Sequence, residues 1–174
     1  MATKINIAHP PVPARLTMPQ ALAVLVAAPI TAIGFIIIGN KVGISGYLFC
    51  GFLFAFYWGG IKSARRIEFL PAVFGSIFGI GLAYLVFELP QAMTNGGLIT
   101  ALAILAVAVF ASLIQFAPFI FNNALMLFLT IGTAPFFRRD ADFIGSCEAI
   151  LLIAVYMGGL LLLGGKLAQY RKAK

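Results

Sequence analysis

Charged residues are scarce in this sequence, and their scarcity excludes a soluble globular protein. Only 10% of the 174 residues are charged and 62% are hydrophobic, and the mean hydropathy is +1.06. This composition leaves too little polar surface for a domain that faces water on all sides. The sequence therefore predicts an integral membrane protein that is embedded in a lipid bilayer.

Histidine and cysteine are equally scarce, which leaves little material for enzyme chemistry. The single histidine, His9, precedes the first apolar run, so a haem, a zinc site or a serine–histidine pair inside the membrane has no ligands or base. Cys50 and Cys147 lie within apolar runs and have no CxxC partner, which is typical of small apolar fillers. We predict no enzyme activity, no cofactor and no metal.

What the sequence has in abundance is apolar runs long enough to cross a bilayer. A helical crossing needs about 20 residues for a hydrocarbon core of about 30 Å. The runs predict an all-α protein with six transmembrane helices in three hairpins: 19–38, 45–61, 70–87, 98–116, 118–137 and 143–163. Asn122 and Asn123 interrupt the fifth run, which is therefore either a full crossing or a re-entrant hairpin.

The charges outside these runs predict the orientation of the chain. The predicted bundle fills residues 19–165, between an N-terminal arm, 1–18, and a basic tail, 166–174. With six crossings, most Lys and Arg residues fall on one side of the membrane together with both termini, and the positive-inside rule makes that side cytoplasmic. The same rule explains the net charge of +7 without nucleic acid as a partner. No cleaved signal peptide is expected.

Short sequence matches recur at fixed offsets. Residues 55–61 match 154–160 at an offset of 99, and 69–74 echo 116–121 at an offset of 47. Three hairpins inserted in the same direction would be parallel repeats about an axis along the membrane normal. The rival explanation is chance, since the chain is rich in Gly and Phe. A proline would open each odd-numbered helix of such a repeat: Pro19, Pro71 and Pro118.

Polar residues inside the apolar runs are the candidates for function, because an amide or a carboxylate that faces lipid is costly. Glu148 lies about a turn and a half into the sixth run. It is either a cation or proton site or the ion-pair partner of Arg138 or Arg139. Asn122 and Asn123 suit a small neutral solute such as urea, ammonia or water, or they bond one helix to another.

Two hydroxyl residues, Ser76 and Thr130, would add hydrogen bonds to such a path. Glycines mark places where helices approach closely, either within the chain or between subunits. Gly75 and Gly79 form a GxxxG pattern in the third run, and the others form pairs: Gly59, Gly60, Gly158 and Gly159. Most of the aromatic residues near predicted helix ends, Trp58 among them, are typical of a belt at the lipid headgroups.

A family resemblance is carried by three short segments. These are Gly46-Tyr47-Leu48-Phe49-Cys50, Gly59-Gly60-Ile61-Lys62 and Phe116-Ala117-Pro118. The chain resembles, over about residues 20–165, a family of small bacterial inner-membrane proteins known only as a domain of unknown function. The resemblance implies a multi-span helical bundle in the bacterial inner membrane and supplies no substrate.

Two functions of different classes follow from these residues. The first is a channel or facilitator for a small polar solute or a cation, with Asn122, Asn123 and Glu148 along the path. The second is a structural or accessory subunit of a larger membrane complex, which docks through its glycine faces and basic tail. In both cases we expect a homo-oligomer or partner membrane subunits. A common cavity would favour transport, whereas dispersed polar side chains bonded to nearby backbone would favour a scaffold.

Overall fold

The structure is a computed structural model that describes residues 17–93, 96–134 and 142–172. These residues form helices and connecting turns without a strand, so the predicted all-α class is confirmed. The helices are α1 (Met18–Val42), α2 (Leu48–Ala55), α3 (Phe69–Ala92), α4 (Gly97–Leu113), α5 (Asn123–Gly132) and α6 (Phe143–Lys172). Short turns adjoin two of them: a 3-10 turn over Ser45–Tyr47 before α2, a π turn over Phe56–Ile61 after it, and a 3-10 turn over Arg66–Glu68 before α3.

Three helical segments are long and apolar enough to cross a membrane by length and composition. They are Val24–Val42, Arg66–Ala92 and Phe143–Leu163. Three shorter apolar segments correspond to the remaining predicted crossings: Ser45–Ile61, Gly97–Leu113 and Asn123–Gly132. The structure thus supports a helical membrane protein, and the six crossings stay a prediction.

The chain divides into two compact units, residues 1–34 and 35–174. In the first unit, α1 runs through Pro29, where a backbone N–H is missing. Thr31 Oγ1 donates to the Ala27 carbonyl oxygen at 2.9 Å, the usual way in which an apolar helix satisfies a hydroxyl. The large side chains of Leu22 and Leu25 are exposed, as suits contact with lipid.

In the second unit, α3 is the central helix and packs most extensively against α5, with further contacts to α4 and α6. Phe143 at the start of α6 lies beside Tyr84, with ring centroids 5.1 Å apart. Further along α6, a methyl group on Gly158 would lie 3.5 Å from the Phe69 ring. Contacts therefore move backwards along α3 as they move forwards along α6, and the two helices are antiparallel.

Two other helix pairs are parallel and lie at the offsets of the sequence matches. Gly145 of α6 contacts the ring of Tyr47, and a methyl group on Gly51 would lie 3.1 Å from the Ala149 carbonyl oxygen. Positions 98 residues apart are thus level on α2 and α6, close to the offset of 99 in the sequence. On α3 and α5, Gly75 contacts Asn122, again at an offset of 47. Matching segments therefore lie side by side in the fold.

The core of this unit combines large aromatic rings with aliphatic and alanine side chains. Trp58, Phe35, Phe54 and Phe128 are fully buried, and Trp58 meets Phe69 edge-to-face with centroids 4.9 Å apart. Between membrane helices lipid competes with protein for apolar contact, so close packing and hydrogen bonds hold the bundle together. Trp58 is 1% exposed, so it is not one of the aromatic residues that form a headgroup belt.

The fifth predicted run shows the largest difference from the sequence prediction. Its helix begins at Asn123, and residues 114–122 form irregular turns in which Gln115 and Ala117 adopt φ values of 53° and 48°. Pro118 therefore lies in the turns ahead of α5, and the prediction that it opens a helix is wrong. Helix α4 ends correspondingly early, at Leu113. These left-handed residues reverse the chain, and an α-helix cannot contain them.

Candidate functional site

The Asn122 side chain is fully occupied by backbone groups. Its Oδ1 accepts hydrogen bonds from the N–H groups of Ala124 and Leu125, at 2.9 and 3.3 Å, which makes Asn122 the N-cap of α5. Its Nδ2 donates to the carbonyl oxygens of Pro71 at 2.8 Å, Phe119 at 3.2 Å and Pro118 at 3.3 Å. An amide has two donors and two acceptor positions, so none is left for a solute.

The predicted GxxxG pair lies against α5 of the same chain. A methyl group on Gly75 would collide with the Asn122 amide, and one on Gly79 would lie 2.5 Å from the Leu125 carbonyl oxygen. Gly132 of α5 approaches Ala83 in the same way, 2.6 Å from its Cβ. The close contact that the sequence predicted either within or between chains is therefore present within this one.

The paired glycines elsewhere face more open space. A methyl group on Gly59 would meet the end of Met157 at 3.9 Å, and one on Gly60 would meet its own helix neighbour Phe56 at 3.7 Å. One on Gly158 would meet Phe69, while one on Gly159 would meet nothing within 4 Å outside its own helix backbone. These four positions have room that Gly75 and Gly79 lack.

The other polar candidates do not meet. Ser76 is buried and bonds the Ala72 carbonyl oxygen at 2.7 Å. Thr130 is exposed and bonds the Met126 carbonyl oxygen of its own helix at 2.8 Å. Glu148 is exposed on α6, and its alternative partners, the two arginines at 138 and 139, lie outside the described residues.

Asn123 is exposed next to Asn122. Neither of the two grooves described below is lined by any of the five polar candidates. The predicted path residues are thus dispersed: Asn122, Ser76 and Thr130 bond backbone groups, and Asn123, Thr130 and Glu148 are exposed.

A second polar site is the basic loop between α2 and α3, whose charges in the sequence indicate only the orientation of the chain in the membrane. We call residues 62–68 the basic loop. Trp58 fixes it twice: its carbonyl oxygen accepts from the Ala64 N–H at 2.9 Å, and its indole Nε1–H donates to the Arg65 carbonyl oxygen at 3.0 Å. Ser63 and Ala64 both have φ near +50°, a strained region that the tertiary contacts must maintain.

Opposite charges close the basic loop. Lys62 Nζ lies 3.3 Å from Glu68 Oε2, which leaves Arg65 and Arg66 without an ion pair among the described residues. Both arginines are exposed. The loop therefore presents two cations that have no carboxylate partner in the described part of the chain, on a backbone that Trp58 holds in place.

Arg66 borders two grooves. One has a volume of about 230 Å³ and is lined by Phe69, Gly158, Leu161 and Leu162 in addition to Arg66. The other, of about 540 Å³, runs between the start of α3 and the α4–α5 connection, and its lining includes Arg66, Glu68, Pro71, Pro118 and Phe119. Arg65 lines neither groove. A sequence signal for this site existed in the Trp-Gly-Gly and Arg-Arg segments, but only the fold brings α6 and the α4–α5 connection beside them.

Comparison with protein-family models, curated proteins and solved structures finds no match for this chain. The resemblance drawn from its three short segments stays a prediction.

Proposed function

We propose that this chain is a non-catalytic subunit of a membrane assembly, which crosses a bacterial inner membrane six times with both termini in the cytoplasm. The observation that carries the proposal is the dispersal of the polar residues. Asn122, Ser76 and Thr130 each bond backbone in their own neighbourhood, as residues that hold helices together do. These three side chains do not line a common path through one chain.

The directions of the helices support six crossings. Helices α3 and α5 are parallel to each other, α2 and α6 are parallel to each other, and α6 is antiparallel to α3. Alternating crossings require this pattern, since odd-numbered and even-numbered helices then traverse in opposite directions. Helix α5 is only about 15 Å long, half of the hydrocarbon core, so α5 by itself does not span the bilayer and the fifth crossing is part of the proposal.

The outer face of α5 is the surface that we propose for assembly. Asn123 and Thr130 are seven residues apart, about two helical turns, and so lie on one face of the helix. Both are exposed, whereas Leu125, Phe128 and Leu129 are buried by the rest of the chain. An amide that faces lipid is costly, and a neighbouring copy of the chain would cover it.

A solute path in this arrangement would run between subunits. Asn123, Thr130 and Glu148 are the predicted path residues on the outer surface, so a pore that uses them needs walls from more than one chain. The channel function therefore requires the assembly, and a flux measurement on the assembled chain tests it.

The experiment is cysteine cross-linking in native membranes, in a variant that lacks Cys50 and Cys147. Asn123→Cys is compared with Val107→Cys, a matched control on the exposed surface of α4. We expect a short bifunctional thiol reagent to give a band of twice the monomer mass for Asn123→Cys and none for Val107→Cys. Equal cross-linking at both positions, or none at either, would remove the α5 face from the assembly.

A flux measurement separates the two function classes. Purified chain in proteoliposomes is challenged with gradients of urea, glycerol, ammonium and water and followed by stopped-flow light scattering. The subunit proposal expects the rates of protein-free vesicles for all four. A rate above that level which falls in Asn123→Leu would overturn it in favour of a path between subunits.

A further inference from the structure

We propose that Arg66 binds the phosphate of an anionic phospholipid, whose two acyl chains lie in the grooves on either side of it. The proposal rests on the chain being in a membrane and is independent of what the chain assembles with. Basic pockets between membrane helices on the cytoplasmic side are known to bind anionic headgroups. Here the feature that points to a lipid is one cation shared by two grooves.

The shape of the site fits a molecule with one charged head and two apolar tails. The smaller groove is walled by Phe69, Leu161 and Leu162 and is almost wholly apolar. The larger groove has Leu70, Pro71 and Phe119 on its walls. Arg66 lines both grooves and is the first residue of the 3-10 turn that precedes α3. A free phosphate ion would use the arginine and leave both apolar grooves to water or to other lipids.

The charge at the site favours an anion. Arg66 has no carboxylate partner among the described residues, because the nearest acid along the loop, Glu68, is held by Lys62 at 3.3 Å. A guanidinium offers parallel N–H donors that match the oxygens of a phosphate. Glu68 also borders the larger groove, so its pairing with Lys62 removes a charge that would repel the headgroup.

The site is held in place before any lipid binds. Trp58 accepts a hydrogen bond from the Ala64 N–H and donates one to the Arg65 carbonyl oxygen, and these two bonds fix the residues immediately ahead of Arg66. A site that is already ordered loses less conformational entropy when it binds its ligand. The strained φ values at Ser63 and Ala64 mark where the fold holds this geometry.

The experiment is native mass spectrometry of the purified, delipidated full chain with added phosphatidylglycerol. The controls are phosphatidylcholine with the same acyl chains, and glycerol phosphate, which carries the headgroup charge without the tails. We expect one tightly bound phosphatidylglycerol, at least tenfold lower occupancy by phosphatidylcholine, and no retained glycerol phosphate. Equal occupancy by both lipids, or retention of glycerol phosphate at the level of the lipid, would overturn the proposal.

Two neighbouring arginines give a matched pair of variants. Arg66→Gln and Arg65→Gln remove the same charge from adjacent exposed positions, but only Arg66 borders the grooves. We expect Arg66→Gln to lower phosphatidylglycerol occupancy about tenfold and Arg65→Gln to lower it less than twofold. An equal loss in both variants would mean that a diffuse positive surface attracts the lipid, and no loss in either would also contradict the site.

A third variant tests the groove without changing the charge. Gly158→Phe fills the smaller groove beside Phe69, whereas Gly159→Phe places the same ring at a position where an added Cβ would meet no atom of another part of the chain within 4 Å. We expect only Gly158→Phe to release the lipid. Far-ultraviolet circular dichroism of each variant confirms that the helices are intact. Unchanged occupancy in a folded Gly158→Phe would remove the acyl chain from this groove.

Discussion

Asn122 Nδ2 lies 2.8 Å from the carbonyl oxygen of Pro71, and this bond joins the start of α5 to the first turn of α3. The same side chain caps α5 through its Oδ1. One amide therefore both begins a helix and fixes its level on a neighbouring helix. Because Gly75 leaves space for it, the bond and the close packing of α3 on α5 depend on each other.

Replacing Asn122 should destabilise the chain far more than replacing its neighbour. Asn122→Ala removes a helix cap, which contributes about 1 kcal/mol, and an interhelical hydrogen bond of about 0.6 to 2 kcal/mol. We expect the free energy of unfolding in detergent to fall by about 2 kcal/mol. Asn123→Ala, at an exposed position, should change it by less than about 0.5 kcal/mol. Equal effects would contradict the capping role.

The glycines of α3 should also differ in how much their replacement by alanine changes the free energy of unfolding. A methyl group on Gly79 would lie 2.5 Å from the backbone of α5, whereas one on Gly81 would enter open space. We expect Gly79→Ala to lower the free energy of unfolding by about 1 to 3 kcal/mol, the usual effect of overpacking. Gly81→Ala should be neutral or stabilise the helix by up to about 1 kcal/mol. Thermal unfolding of both variants in one detergent decides between them.

Phenylalanine at position 58 should replace the aromatic ring of Trp58 but not the hydrogen bond that its indole N–H donates. Trp58→Phe keeps an aromatic ring against Phe69 and loses the indole N–H that bonds the Arg65 carbonyl oxygen. We expect a loss of about 1 to 3 kcal/mol from the unpaired carbonyl and the smaller ring. Limited proteolysis should then cleave at Arg65 or Lys62 sooner than in the wild type. Resistance equal to the wild type would show that the N–H does not hold the basic loop.

The ion pair of the basic loop should affect lipid binding more than stability. An exposed pair contributes at most about 1 kcal/mol to folding. Glu68→Gln removes the carboxylate that borders the larger groove and should raise phosphatidylglycerol occupancy of the native protein. Lys62→Met exposes that carboxylate and should lower it. The double variant should return towards the wild type, and native mass spectrometry measures all three. Lower occupancy in Glu68→Gln would contradict the proposed charge balance.

The sequence predicts much of the helix layout because apolar length is a local property. The predicted runs 45–61 and 143–163 begin at the residues where helical structure begins, Ser45 and Phe143. The end of α1 is also local, since Gly43 adopts a φ of 88° that terminates a helix. The fifth helix is different, because Asn122 competes with a helix start at Pro118 by bonding both the local backbone and α3.

The candidate site was less predictable because it depends on contacts between distant segments. The sequence identifies Asn122 and Ser76 as intramembrane polar residues, and only the fold reveals that their side chains are already hydrogen-bonded to backbone groups. Trp58 is near a predicted helix end, where aromatic residues of membrane proteins usually meet the headgroups, yet it is buried. Phe69 and the basic loop cover this side chain, and the periodicity of a helix does not predict where either of them lies. Arg66 becomes distinct from Arg65 only when α6 and the α4–α5 connection supply the grooves.

The π turn at Phe56–Ile61 sets the direction in which the basic loop leaves α2. Its hydrogen bond runs from the Lys62 N–H to the Tyr57 carbonyl oxygen, five residues back, at 3.0 Å. In an α-helix the bond would span four residues and each residue would turn the chain by about 100°. Removing one residue from this turn would therefore rotate Arg66 by about 100°, more than a quarter of a turn, around the helix axis. The number of residues in the π turn thus determines the direction in which Arg66 lies around the axis of α2.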